Sequence, residues 1–434
     1  MFYEYKKSVE LLESTITQIP KAYKEYMNTT RDQGFFIQRT QHLFHELGNP
    51  EKGFNYIHVT GTSGKGSTTT MIYEILHAAH YAIGIYISPF VTTSLERIQA
   101  QGKLIHPHIF GEAVQEVMAV VERIRHNRPE FFPSYSEIFF AVAMIALQKI
   151  KCEWVVVEAG CGGRFDMSNI IPSPIAAIIT NISYDHTAIL GNTLEKIAWH
   201  KAGIIKKGSA IFSSETKPAV QAVLNKEAKQ FNQKVQYIQP SREYETQMPG
   251  KHQQWNAALA AAVGHYLSID ESNVEKGIAE ARLPARIELM QTAPRVILDG
   301  AHSTAKIEAL VHSLEQFRPW QKLHLLFAAK ETKELYDLLA PLAPLIDAAY
   351  MTSFTLPGFK SQAPEEAAIL LKQMRSNVPV ICENDAHTAL RKCLLQAAPD
   401  DMIIITGSLY LAGKLRIHWI PEQTIIEQQA TFPQ

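Results

Sequence analysis

The sequence predicts an α/β fold: a P-loop, doubly wound, mostly parallel sheet domain followed by a smaller C-terminal Rossmann-like α/β domain. Three observations carry this expectation. Residues 56–71, YIHVTGTSGKGSTTTM, pass from an apolar β-prone run through a glycine-rich loop into a helical pattern. Apolar strand-like runs then alternate with helix-length segments up to LPAR at 283–286. From Arg295 a second series of five such runs begins.

Residues 1–50 read as helices, with Tyr5, Val9, Leu12 and Ile16, then Ile37, Leu43, Phe44 and Leu47, at roughly helical spacing. Gly48-Asn49-Pro50 stops the second helix. The strand at 56–60 delivers the loop Gly61, Thr62, Ser63, Gly64, Lys65, Gly66, Ser67. Glycines let backbone approach an anion, a following helix N-terminus points N–H groups at it, and Lys65 adds charge, so the loop reads as a phosphate cradle. It is a variant P-loop, because Gly66 stands where G-x-x-x-x-G-K-[ST] has its hydroxyl and Ser67 follows one place on. A strand at 83–87 breaks at Ser88-Pro89, and the polar stretch 92–101 is expected to be a loop over the site. Helical patterns at 111–125 and 136–149 precede the strongest strand, 154–157, which runs into EAGCGGRFDMSN. The strand at 175–180 runs into NISYDH, and helical patterns at 194–202, 217–230 and 252–267 complete the first unit. The second unit carries VILD, LHLLF, DAAYM, VPVI and MIIIT as strands. Its boundary is placed at 291–294, where a polar pair and a proline interrupt the pattern, giving domains 1–291 and 292–434.

At 434 residues the chain exceeds one ordinary core. Hydrophobic residues make up 46% and charged residues 20%, a normal globular balance. With 42 basic against 43 acidic side chains, neither nucleic acid nor a membrane surface is expected as a partner. Cys152, Cys161, Cys382 and Cys393 form no C-x-x-C pair, which disfavours a zinc knuckle or a disulfide framework and suits a reducing cytosol. The opening MFYEYKKSVE lacks the order of a signal peptide, and no apolar run reaches spanning length. A cytoplasmic protein is expected.

In doubly wound sheets ligands sit beyond the carboxyl ends of the strands, so the glycine loop, Ser88, Glu158 and Asp185-His186 should converge. Glu158 reads as a metal ligand or a helix-cap acceptor, and a nearby phosphate cradle calls for Mg²⁺. Ser88 and His186 are candidates for the same cluster, although a serine before proline is also an ordinary turn residue. Lys201, on composition alone, reads as a solvated helix lysine. Arg164 could hold a carboxylate or phosphate bidentately, or be a surface arginine. Asp299 and His302 close the first strand of the second domain, which suits a cleft role or, for His302, a helix start. Cys161 reads as a buried small residue rather than a nucleophile.

Taken together, LGNPEKGF before HVTGTSGKGS, ISPF with LERI, VEAGCGGRFDMSN, DHTAILGNTLEKIAWHKAGIIK, HQQWNAALA, LPARIE, LDGAHS and TGSLYLAG span nearly the whole chain. The set resembles the folylpolyglutamate synthase and dihydrofolate synthase family of the Mur ligase superfamily. The resemblance implies a monomeric ATP-dependent ligase that joins L-glutamate to a folate or dihydropteroate carboxylate through an acyl phosphate. It also implies that Lys65 and its loop hold the phosphates, that Ser88, Glu158 and His186 bind Mg²⁺, and that Lys201 is carbamylated. Asn256, Arg286, Asp299 and His302 match nucleotide-site positions. The chain departs from the family pattern at Ser63, Phe90, Ser136, Ala285 and Ser303, several of them flanking the substrate or nucleotide blocks. A superfamily ligase for a different carboxylic acid is therefore the alternative reading, with a P-loop kinase or NTPase behind it.

Overall fold

The computed structural model describes residues 1–17, 19, 34–356 and 359–433. The first unit is built on an eight-stranded sheet: β1 (Asn55–Thr60), β2 (Ile83–Tyr86), β3 (Ile98–Ala100), β4 (Lys103–Leu104), β5 (Trp154–Glu158), β6 (Ala176–Ile179), β7 (Ala210–Ser213) and β8 (Val235–Tyr237). Their order is β4-β3-β2-β5-β1-β6-β7-β8. All neighbours from β2 to β8 pair in parallel, and β3 and β4 add antiparallel at one edge. Part of the stretch 92–101, expected to be loop, is therefore sheet; Ile98 and Ala100 are buried and anchor it.

Alternation along the strands explains the layers, because successive side chains leave opposite faces. Tyr56, Val155 and Val157 enter one core, with the helices Phe2–Thr17, Pro107–Asn127 and Tyr135–Lys149. Ile57, Val59 and Val156 enter the other, with Lys65–Ala78, Gln253–Tyr266 and Glu271–Glu280. The helix Lys65–Ala78 is buried over nearly its whole length, packed beneath those last two helices. The N-terminal helical expectation holds for Phe2–Thr17 and Gly34–Glu46, and residues 20–33 lie outside the described residues.

The second unit holds a six-stranded sheet, β9 (Glu288–Thr292), β10 (Arg295–Leu298), β11 (Leu323–Phe327), β12 (Ala348–Ser353), β15 (Val380–Asp385) and β16 (Met402–Thr406), beside a small hairpin of β13 (Thr355–Leu356) and β14 (Phe359–Lys360). The large sheet runs β15-β12-β11-β16-β10-β9, parallel except for β9, which forms a hairpin with β10. All five strands read from the sequence are present. Gln291–Pro294, read as a boundary, lies at the turn of the β9–β10 hairpin, so this sheet starts at Glu288.

The chain crosses between the units a second time. After the helix Leu409–Arg416 it returns to the first unit, where Ile425 and Ile426 of the helix Glu422–Gln428 are buried in the core beside Tyr5 and Leu12. Leu104 N donates to Gln429 O at 2.9 Å, and Lys6 pairs with Glu422 at 2.5 Å. The two crossings touch: Trp419 Nε1 donates to Gln291 Oε1 at 3.2 Å, and Arg416 Nη2 pairs with Glu288 at 2.9 Å.

Candidate active site

The glycine loop leaves the carboxyl end of β1 and closes on the N-terminus of Lys65–Ala78, where the first N–H groups have no intrahelical acceptor. Two of its glycines are required by space as well as by backbone angle. A Cβ on Gly61 (φ 151°) would lie 1.6 Å from Thr180 Oγ1, and one on Gly64 (φ 84°) would lie 2.3 Å from Asn256 Oδ1. The loop is pinned from β6 and its continuation: Thr180 Oγ1 donates to Ser63 O at 2.7 Å, Ser63 N to Asn181 Oδ1 at 3.0 Å, and Thr62 Oγ1 to Ser183 O at 3.0 Å. Asn256 supports it from behind, accepting from Thr68 Oγ1 at 3.3 Å and donating to Gln253 at 2.8 Å. Ser67 is buried.

Two lysines meet at one acceptor. Lys65 Nζ donates to Gly61 O at 3.1 Å, and Lys201 Nζ reaches the same oxygen at 2.6 Å from the helix Leu194–Ala202. Lys201 is 4% exposed, contrary to the solvated reading of its composition. Burial, and then the charge of Lys65, push its amine from 10.5 down to about 7.

Glu158 ends β5 with its carboxylate against the loop, 3.7 Å from where a Cβ on Gly66 would be. Its Oε2 accepts from Ser88 N at 3.0 Å, which joins two of the predicted metal ligands directly. Burial raises the Glu158 carboxyl while Lys65 opposes the shift. Among the described residues it has no salt-bridge partner, so a buried anionic oxygen beside a phosphate cradle fits a hard cation. No group of three His, Cys, Asp or Glu side chains among the described residues would cage such an ion. His186 is less closely gathered: it is exposed, in a left-handed conformation (φ 50°), with Nε2 3.8 Å from Asp185 Oδ2. Partial desolvation of its half-exposed ring lowers the imidazole pKa against the pull of Asp185, and Lys65 and Lys201 act in the same downward direction.

The second unit faces this floor. Asp299, at the end of β10, accepts from Ile287 N at Oδ2 (2.9 Å) and from Ala301 N at Oδ1 (2.7 Å), bracing the crossing segment against the His302 loop. Arg286 Nη1 donates to Ala285 O and lies over Gly300. His302 Nδ1 bonds Gly300 O at 3.0 Å, so that nitrogen carries the proton and Nε2 is left to accept from Lys306 Nζ at 3.2 Å. Burial, and then Lys306, push His302 down to about 3, leaving it neutral.

Some predicted residues fall outside the cluster, and others escaped sequence reading. Arg164 stacks on Trp199 and pairs with Glu227 at 2.6 Å, which uses its fork away from the loop. Burial raises the Cys161 thiol to about 11, as expected of an unreactive cysteine, although it is only partly buried. Lys306 was missed; its only sequence signal is the one-turn spacing from His302. Arg416 was also missed. Fully buried, it bonds Glu288 of the crossing and, through Nη1, Thr92 Oγ1 at 3.1 Å, with Glu96 at 3.9 Å. Gly413 lets the helix Leu409–Arg416 press on Val91, whose carbonyl would lie 1.8 Å from an added Cβ.

A P-loop at the head of a parallel sheet, roofed by a second α/β unit that brings its own histidine and lysine, defines a two-domain nucleotide-handling protein of the Mur ligase type. The family models agree, the Mur ligase middle domain matching residues 59–238 and the Mur ligase glutamate ligase domain residues 285–409. The chain is 31% identical to the dihydrofolate synthase/folylpolyglutamate synthase of Bacillus subtilis, covering 88% of this chain and 94% of that one. It is 30% identical to the folylpolyglutamate synthase of Lacticaseibacillus casei, over 86% and 92%. The folylpolyglutamate synthase of Mycobacterium tuberculosis complexed with ADP superposes with a TM-score of 0.85 at 26% identity, covering 96% of this chain and 99% of that one. The chain belongs to the folylpolyglutamate synthase/dihydrofolate synthase family of Mur ligases.

Proposed function

We propose that the protein is an ATP-dependent ligase that joins L-glutamate to the carboxylate of a folate or dihydropteroate through an acyl phosphate. The observation that carries this reading is the convergence of Lys65 and Lys201 on Gly61 O, with no carboxylate paired to either among the described residues. Such a floor calls for anions, and two must meet there: the terminal phosphate of the nucleotide and the acceptor carboxylate. Lys65 and the helix N-terminus hold the phosphates, offset repulsion between the anions and orient the phosphoryl group for in-line transfer. Mg²⁺ would be held by Glu158, with Ser88 and His186 completing its protein contacts, and when bound supplies further charge neutralisation. Asn256 keeps the cradle in shape, and Arg286, Asp299 and His302 face the nucleotide from the second unit. Arg416, buried against Thr92 and Glu96, holds the second unit to the first, and closure of the units about that contact would exclude water from the acyl phosphate. The amine of glutamate then attacks the acyl carbon, phosphate leaves, and the amine loses a proton.

Lys201 fits a carbamate. Its nitrogen lone pair adds to CO₂ only when unprotonated, and an N–H proton passes to water; a site that depresses the ammonium form provides that condition. The resulting anion would lie beside the cation held by Glu158. The reading takes a single chain in the cytoplasm as the working unit, since both walls of the cleft come from one chain and the four cysteines are free. Among the described residues no helix is long and apolar enough to cross a membrane.

The test is ATP-dependent phosphate release and amide formation with glutamate and each of dihydropteroate, dihydrofolate and reduced folates. Release with none of them, but with another carboxylic acid, would move the chain to the alternative substrate class.

A further inference from the structure

Lys306 is the least explained charge in the cleft. It sits in the first turn of the helix Thr304–Leu314, and its side chain runs back toward the helix N-terminus, as long helical side chains do, to reach His302 Nε2. That neutral ring nitrogen is its hydrogen-bond partner among the described residues, where it makes no ion pair with a carboxylate. The charges it feels most are Lys65 and then Arg286, followed by Asp185 and Lys333. In turn Glu158, on the floor, and Asp299, on the roof, both feel Lys306. A partly buried amine, held on His302 and near enough to both walls to interact with charges of each, with mostly like charges around it, is placed for an anion that arrives with the substrate.

We propose that Lys306 is a phosphate ligand contributed by the second unit, binding the terminal phosphoryl group of the nucleotide from the side opposite Lys65. A P-loop lysine reaches the β- and γ-phosphates, so the anion that satisfies both lysines at once is the terminal group rather than the nucleoside end. His302 acts as a positioning residue: its Nδ1 is fixed by Gly300 O, which turns Nε2 toward the lysine and fixes the direction of Nζ. The P-loop then meets its phosphoryl clamp only when the units are closed, coupling closure to the presence of the transferable group.

This inference rests on the ligase reading for its catalytic meaning, but nucleotide binding tests it separately. Affinities for ADP and for the β,γ-methylene analogue of ATP are measured by calorimetry on the full chain with Mg²⁺, for wild type, Lys306→Met and Lys306→Arg. The expected result is a loss of about tenfold or more for the analogue in Lys306→Met, with ADP changed by less than about twofold and Lys306→Arg retaining much of the preference. Equal losses for both nucleotides, or none for either, would overturn the assignment. Should Lys306→Met fail to fold, Lys306→Gln is compared with Lys306→Arg on the same two nucleotides and read by the same criterion. If the wild-type chain forms no amide with any acceptor, the ligase reading fails while this comparison still decides Lys306.

Discussion

Replacing Lys201 by methionine should make the protein more stable and inactive at once. In the fold the amine falls from 10.5 to about 7 because burial penalises the ammonium and Lys65 repels it. The unfolded chain therefore binds more protons than the folded one between about pH 7 and 10.5, and folding stability rises with pH across that window. The penalty is complete below pH 7, amounts to about 4 kcal/mol at pH 7, and fades as pH approaches 10.5. Methionine removes it, fills similar space, and leaves Gly61 O its bond from Lys65. The measurement is denaturant unfolding of wild type and Lys201→Met in CO₂-depleted buffer from pH 7 to 10, with ligase turnover followed in parallel. The variant should gain up to about 4 kcal/mol at pH 7, and the gain should shrink steadily toward pH 10. A variant no more stable than wild type at pH 7, or a difference that ignores pH, would show that Lys201 is not a desolvated amine.

Lys65→Ala should abolish ATP-dependent turnover and leave the unfolding midpoint close to wild type, since an alanine fits the helix start; near-normal phosphate release from the folded variant would remove the P-loop assignment. Glu158→Gln should raise the Mg²⁺ concentration needed for half-maximal nucleotide binding about tenfold or more, because an amide oxygen is a weaker ligand for a hard dication; an unchanged Mg²⁺ titration would make Glu158 structural. Wild-type protein stripped of CO₂ should lose turnover and recover it with bicarbonate, and ¹³CO₂ should label a carbamate that Lys201→Met cannot form; full activity without CO₂ would end the carbamate reading. Arg416→Met should lose about 3–5 kcal/mol of stability by leaving Glu288 and Glu96 buried and uncompensated; a loss below about 1 kcal/mol by denaturant unfolding would show those carboxylates to be solvated.

Elements buried on both faces were legible in the sequence. The runs VVV of β5, LHLLF of β11 and MIIIT of β16 are buried throughout and almost wholly apolar because helices cover each side. The strand β9 was not, since ELMQT is an edge with half-exposed residues and its closing turn resembles a linker. The same logic divides the site. Ser88, Glu158 and the glycine loop lie at strand ends, where the α/β rule places ligands, and they were found together. Lys201 and Lys306 sit on helices, where spacing cannot reveal burial by a distant segment, and only the resemblance singled out Lys201. Arg416 carries no local signal at all, because its partners Thr92 and Glu288 lie far away in sequence and meet it through the packing of one unit on the other.

The paired crossings have a mechanical consequence. Two chain segments pass side by side between the units and are fastened to each other by Arg416–Glu288 and Trp419–Gln291, so they act as adjacent pins rather than as one loose cord. A body held at two neighbouring pins can swing about the line through them but cannot slide away or twist freely. Any movement of the second unit is thereby restricted to an arc, and an arc would bring His302 and Lys306 back to one place each time the units close. Keeping the roof at a high effective concentration above the floor also lowers the entropy lost at each closure. Severing the Glu422–Gln428 helix from its seat beside Tyr5 and Leu12 would free one pin, and the second unit would then search a volume instead of a path.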